Sequence, residues 1–270
     1  MFYLPFVYGI FSRCQGLFYK ITFFVITIFP ILYFVILSND EYVKNLMIFS
    51  IAFLAIYSVY EIGYLFNDIY TVNFENNPTF RLENKYFEIV KQQFPLLIAV
   101  RIFYTVLCLF ILSLFEVYNL ELFYFLIVLL NLSYAIHNTY RNKINIITMF
   151  FIVGLKYVAI PVLFYPLGDY FTVSFILILI IPFLRSIEYA SKKKFDIDFL
   201  KKLNVDTFRI SYYSCIVILC FVLSFFYRYF LFGAFLGGVF LLFRIGILII
   251  LKIPNIKNKI NYIRKINKNI

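Results

Sequence analysis

Residues 46–75 read LMIFSIAFLAIYSVYEIGYLFNDIYTVNFE, a long apolar run that ends at the carboxylate of Asp68 and reaches a second one at Glu75. A membrane-spanning helix needs about 20 mostly apolar residues to cross about 30 Å of hydrocarbon, and the run before Asn67 has that length. It therefore sets ionisable groups at the mouth of a span. Such groups are costly there unless they are solvated or put to use.

The pattern continues along the chain. Of 270 residues, 63% are hydrophobic and 14% charged, and the mean hydropathy is +0.89, values outside the range of soluble domains. Apolar runs near 20–38, 46–66, 94–115, 120–136, 146–167, 171–187, 210–229 and 230–251 predict eight spans. The expected fold is all-α, a polytopic transmembrane helical bundle occupying residues 1–252, with a basic tail over 253–270. In that tail Ile256, Ile260, Ile263 and Ile266 recur at near-helical spacing among lysines, as in an amphipathic helix lying on a membrane. A disordered tail is the alternative. Met1 to Ser12 carry no basic stretch before their apolar residues and no small-residue cleavage site, so no removable signal peptide is expected. Cys108, Cys215 and Cys220 fall inside predicted spans and Cys14 outside, with no metal-ligand spacing among them, and all four read as free thiols.

A net charge of +11 would suit a nucleic-acid partner, but its distribution points to a membrane instead. With the N-terminus inside, twenty of the 25 Lys and Arg residues collect on one side, and Lys44 and Arg228 stand opposite beside Asp40, Glu41, Glu116, Glu121 and Asp169. The positive-inside rule then makes both termini cytoplasmic, in a multi-pass protein of a bacterial cytoplasmic membrane. Its basic face meets anionic lipid headgroups and any phosphate-bearing substrate, and no nucleic acid is expected.

Within the second span Glu61, Tyr64, Asp68, Thr71 and Glu75 recur at spacings of three and four, which puts them on one stripe if the helix continues. Glu61 stands about 10 Å from Asp68 along the axis, inside the apolar zone. It is either part of a wet site or an interhelical hydrogen-bonding group. Arg101 and Arg244 each sit about two turns from the end of a span and are expected to snorkel to the interface. Lys156 lies mid-span, where an interior partner such as a carboxylate or a bound phosphate is expected. His137, the single histidine, reads as an interfacial hydrogen-bonding residue. Lys192, Lys193 and Lys194 read as a solvated or lipid-facing run, and their side of the membrane keeps a phosphate role open.

Tyr64-Leu65-Phe66-Asn67-Asp68, followed by Glu75 and Pro78-Thr79, resembles the first signature of the UbiA superfamily of intramembrane prenyltransferases. In that family an Asn-Asp is followed by two more aspartates, and the matching positions here are Asp68, Thr71 and Glu75. The branch most similar in pattern is the decaprenyl-phosphate phosphoribosyltransferase type. Its tyrosine, aspartate and arginine at intervals of eleven correspond to Tyr134, Asn145 and Lys156. Tyr189-Ala190 resembles the start of the second family signature. Lys193 and Asp196 stand where aspartates are expected there, and Glu188 is a substitute carboxylate. The order of elements matches over roughly residues 20–250, although the family usually has nine spans.

The resemblance implies a transferase acting on a polyprenyl (di)phosphate lipid, with a second, diphosphate-bearing donor as partner and Mg²⁺ held by carboxylates from both cytoplasmic loops. Asp68 and Glu75 would be the catalytic and metal residues, with Glu188 or Asp196 as further ligands. Asn67, Arg81, Arg141, Lys143, Lys156, Lys192 and Lys193 would contact phosphate, and Glu61, Tyr64, Tyr134, Asn145 and Tyr189 would line the pocket. The acidic set is incomplete at Thr71 and Lys193, so a UbiA-like lipid-binding, scaffold or transport protein without chemistry is the other reading.

Overall fold

A computed structural model of the chain describes residues 2–14, 16–74, 80–140, 142–192 and 195–252. Among them, eight helices are long and apolar enough to cross a membrane, close to the runs read from sequence. After a short α1 (Val7–Arg13) come the spans α2 (Leu17–Ile36) and α3 (Tyr42–Ile69), a helix α4 (Asn84–Gln92), and the spans α5 (Phe94–Leu112), α6 (Leu120–Thr139) and α7 (Ile144–Leu163). They are followed by α8 (Leu167–Ala190), α9 (Val205–Leu223) and α10 (Tyr229–Lys252). The amphipathic tail expected over 253–270 lies outside the described residues.

The chain packs as two units, Met1–Ser174 and Phe175–Ile270, and the division falls inside α8. In the first unit α3 and α7 are the enclosed spans, with 67% and 72% of their apolar windows buried, whereas α5 and α6 are each 28% buried. The outer helices turn large apolar side chains outward, among them Phe103, Val106 and Phe110 of α5. Charged and polar groups are turned inward: Glu61, Asp68, Arg101, Lys156 and the amide of Asn145 are all buried. That arrangement suits a hydrocarbon surround, where polar groups must find partners inside the protein.

Two prolines shape the spans. Pro30 has no N–H to give the carbonyl of Ile26, four residues back, and α2 passes this point as a π-turn over Phe24–Ile28. The Tyr157 hydroxyl of α7 donates to that carbonyl at 2.6 Å, so the defect also fastens α2 to α7. In the second unit Pro182 opens a similar turn at Leu179–Phe183, and the Tyr212 hydroxyl of α9 donates to the carbonyl of Leu179.

The N-terminal segment is folded into the first unit. Phe2 and Tyr8 pack with Leu65 and Ile69 of α3, Leu82 just before α4, Val90 of α4, and Phe94 and Leu97 of α5. Phe6 enters α1 with φ of 74°, a left-handed conformation that costs a non-glycine residue about 1 kcal/mol or more. Stacking of its ring on Phe53 and Tyr57, with centroids 5.2 and 4.6 Å away, holds it there.

Candidate functional site

Asp68 lies on the last full turn of α3, which ends at Ile69 and gives way to a 3₁₀ turn over Thr71–Phe74. The helical stripe read from sequence therefore stops after Asp68, and Thr71 instead donates to the Asn67 carbonyl at 3.1 Å. Asp68 is 6% exposed and both its oxygens are engaged. Oδ2 accepts from Arg13 Nη1 at 2.7 Å and from the Tyr8 hydroxyl at 2.8 Å. Oδ1 accepts from Arg13 Nη2 at 2.9 Å, Asn67 Nδ2 at 3.1 Å and Arg81 Nη1 at 3.3 Å. The Arg13 contact is the two-pronged guanidinium–carboxylate geometry, the strongest form of such a pair.

Burial, and then the neighbouring Asp68 charge, push the Tyr8 hydroxyl well above its ordinary value, so it stays a proton donor. Burial by itself would lower Arg13. The Asp68 charge and its hydrogen bonds outweigh that and raise it, so the guanidinium stays charged.

Two turns earlier on the same face of α3, Glu61 is fully buried. Its Oε2 accepts from Arg101 Nε at 2.8 Å and its Oε1 from the Gly9 N–H at 2.6 Å. Arg101 gives its remaining donors to the carbonyls of Tyr3 at 2.6 Å, Phe2 at 2.7 Å and Leu4 at 3.2 Å. Snorkelling, expected for Arg101, is not what the structure has: the side chain is 0% exposed because the N-terminal segment brings it acceptors.

An aromatic cluster adjoins these charges. Tyr60 meets Tyr134 edge-on at 4.9 Å and Tyr64 at 5.2 Å. The Arg13 guanidinium sits 4.3 Å over the Tyr64 ring, and Lys156 Nζ lies 5.1 Å from the Tyr60 ring and 4.9 Å from that of Tyr157. Cations over ring faces are attracted by the aromatic quadrupole. Tyr134 also presses on Gly63, whose missing Cβ would stand 2.3 Å from the ring, and Asn138 donates to the Gly63 carbonyl at 3.2 Å. On α7, Asn145, Thr148, Ile152 and Lys156 share one face. Thr148 is hydrogen-bonded to His137 Nδ1 at 2.8 Å, in keeping with a hydrogen-bonding histidine. Asn145 is 0% exposed, and among the described residues neither atom of its side-chain amide has a hydrogen-bond partner. A cleft of about 440 Å³ lined by Asn39, Glu41, Lys44 and Glu116 opens at the other end of α3, away from these residues.

The structure thus links Asn67, Asp68, Arg81, Tyr64, Tyr134 and Lys156 through hydrogen bonds, ion pairs and ring contacts in the first unit, with Glu61 about two turns from Asp68; Asn145 lies about three turns from Lys156 along α7, and Lys143 stands exposed at its start. Glu75, Arg141 and Lys193 lie outside the described residues. In the second unit Glu188 accepts from Arg185 Nη1 at 3.1 Å and Arg209 Nε at 2.5 Å. Lys192 is exposed with Nζ 4.5 Å over the Tyr189 ring, and Asp196 is exposed and paired with Lys201.

Arg13, Tyr8 and Gly9 escaped the sequence reading. The available signal was the need of two carboxylates near one span for partners, with Arg13 and Arg101 not yet matched to an acid. Mg²⁺ prefers several oxygen ligands and keeps much of its water, so it needs open carboxylate oxygens. Asp68 offers none in this arrangement, and among the described residues no group of three or more His, Cys, Asp or Glu could hold a metal ion. Glu75, the other carboxylate expected to hold the ion, lies outside the described residues.

No family model, no curated protein and no solved structure matches the chain. The likeness to UbiA prenyltransferases rests on the motifs quoted above and on their order.

Proposed function

We propose that the chain is a multi-pass membrane transferase of the UbiA type, acting on a polyprenyl (di)phosphate lipid whose phosphate is met by polar and basic side chains of the first unit. The observation that carries the reading is Asn145, fully buried with an amide that has no partner among the described residues, on the same helix face as Thr148 and Lys156. A buried donor or acceptor left unsatisfied costs about 1–3 kcal/mol, and a bound polar group relieves that cost. The chemistry would be departure of a (di)phosphate from an electrophilic carbon, with fixed cations stabilising the leaving charge.

The test is a transfer assay on purified protein, pairing phosphoribosyl diphosphate and several polyprenyl diphosphates with a panel of acceptors, with and without Mg²⁺. The expected result is transfer that falls sharply in Asn145→Leu. Absence of transfer with every pair, alongside retained lipid binding, would select the second reading.

That second reading is a lipid-binding, scaffold or transport protein that keeps the fold without the reaction. It is favoured by the occupation of both Asp68 oxygens by Arg13, Arg81, Tyr8 and Asn67.

A further inference from the structure

In the second unit α9 and α10 run antiparallel, and their contacts fix one register. Cys220 faces Gly233, Ile216 and Val217 face Gly237, and Tyr213 stacks on Phe240 with ring centroids 5.5 Å apart. One turn farther, the same register sets Arg209 of α9 opposite Arg244 of α10. Arg185 of α8 joins them through Glu188, which accepts from Arg185 on one oxygen and from Arg209 on the other. Three guanidiniums on three helices thus gather around one carboxylate. Apart from Glu188, the nearby acid is Asp206, half-exposed and 3.2 Å from Arg209 Nη1, so a positive charge is left over.

Arg244 is the residue that carries it. Its Nε is buried and, among the described residues, has no hydrogen-bond acceptor, and the guanidinium lies 5.8 Å from the Phe243 ring. Like charges brought opposite one another repel, and a donor buried without an acceptor is unfavourable, most of all within a span. An anion among the three would remove both penalties. A guanidinium presents a planar fork of donors that fits the oxygens of a phosphate.

We infer that Arg185, Arg209 and Arg244 form a binding site for a phosphate group, with Glu188 as the strut that holds Arg185 and Arg209 in place. Arg244 supplies the unspent donor, its buried Nε. The ligand is either the headgroup of a phosphate-bearing lipid or a free phosphate in solution, since both present the same oxygens. The site belongs wholly to the second unit and does not depend on the transferase reading of the first.

The experiment uses the full chain in phosphatidylcholine nanodiscs, with phosphatidic acid and inorganic phosphate as the two probes. Retention of phosphatidic acid is read by native mass spectrometry and binding of phosphate by titration. Arg244→Gln is expected to weaken binding by about tenfold or more, the loss of a charge-assisted contact, while Arg244→Lys retains part of it. Arg228→Gln, at the other end of α10, should bind as the parent does. Weakening with phosphatidic acid alone assigns a lipid headgroup, and weakening with inorganic phosphate assigns a free phosphate group. Failure of the parent to bind either probe, or equal binding by Arg244→Gln while its thermal midpoint matches the parent's, overturns the inference.

Discussion

Arg101 in the first unit and Arg244 in the second are the same kind of residue in the sequence, each about two turns inside a span, yet their surroundings are opposite. Arg101 is 0% exposed and spends its donors on Glu61 and on three carbonyls of the N-terminal segment. Arg244 faces another arginine, and its buried Nε has no acceptor among the described residues. A buried ion pair is tolerated when its remaining hydrogen bonds are made, whereas a buried excess of one sign calls for a counter-ion. The first unit has closed the Glu61–Arg101 and Asp68–Arg13 pairs into the fold, and the second has left the Arg244 Nε without an acceptor. Within these pairs charge has a structural use, which Arg244 does not share.

The contrast is most exposed to failure at Arg101. Arg101→Met leaves Glu61 buried and unpaired and strips three carbonyls, so a loss of about 3–5 kcal/mol is expected in reversible unfolding in detergent micelles. Adding Glu61→Leu should recover part of the loss, because the stranded charge is gone. If Arg101→Met and Arg244→Met had equal effects, the contrast would be wrong.

How tightly the first unit is closed can be sharpened at Gly63. A Cβ there would stand 2.3 Å from the Tyr134 ring, and overpacking of this kind costs about 1–3 kcal/mol. Gly63→Ala should lower the thermal midpoint, and combination with Tyr134→Leu should restore it.

Tyr8 tests the closure around Asp68 through pH. Its folded-state value is raised, first by burial and then by Asp68, above the ordinary 10 of the unfolded chain. Its contribution is therefore complete below about pH 10 and falls above it, by about 1.4 kcal/mol per pH unit, as the unfolded form ionises. The difference in stability between Tyr8→Phe and the parent should accordingly shift in favour of Tyr8→Phe between pH 10 and pH 11. A pH-independent difference would place Tyr8 outside the locked set.

The smallest effect is expected at Arg244. Arg244→Met removes a repulsive charge and an unsatisfied donor, so the unfolding free energy should stay within about 1 kcal/mol of the parent's or rise. A large loss would show that Arg244 is paired as Arg101 is.

Much of the architecture was legible because it is local. An apolar run of the right length satisfies its own backbone hydrogen bonds as a helix, so eight spans follow from residue order alone. The i, i+7 spacing of Glu61 and Asp68 likewise put both on one face of α3 before any partner was known. The candidate site was legible only in part. Asn67, Asp68, Tyr134, Asn145 and Lys156 were picked out, but Asp68 was read with its oxygens open. Arg81, 13 residues on, reaches one oxygen, but the two-pronged cation that closes it, Arg13, comes from 55 residues away.

The sequence by itself determined the spans, the inward stripe of carboxylates on α3 and the basic character of the chain. The tertiary structure decided which charges are satisfied. Arg101 reaches carbonyls 97 to 99 residues away, and Arg209 meets Arg244 only through the register of two packed helices. Span formation depends on composition over one continuous stretch, whereas the fate of a buried charge depends on which distant segment packs against it.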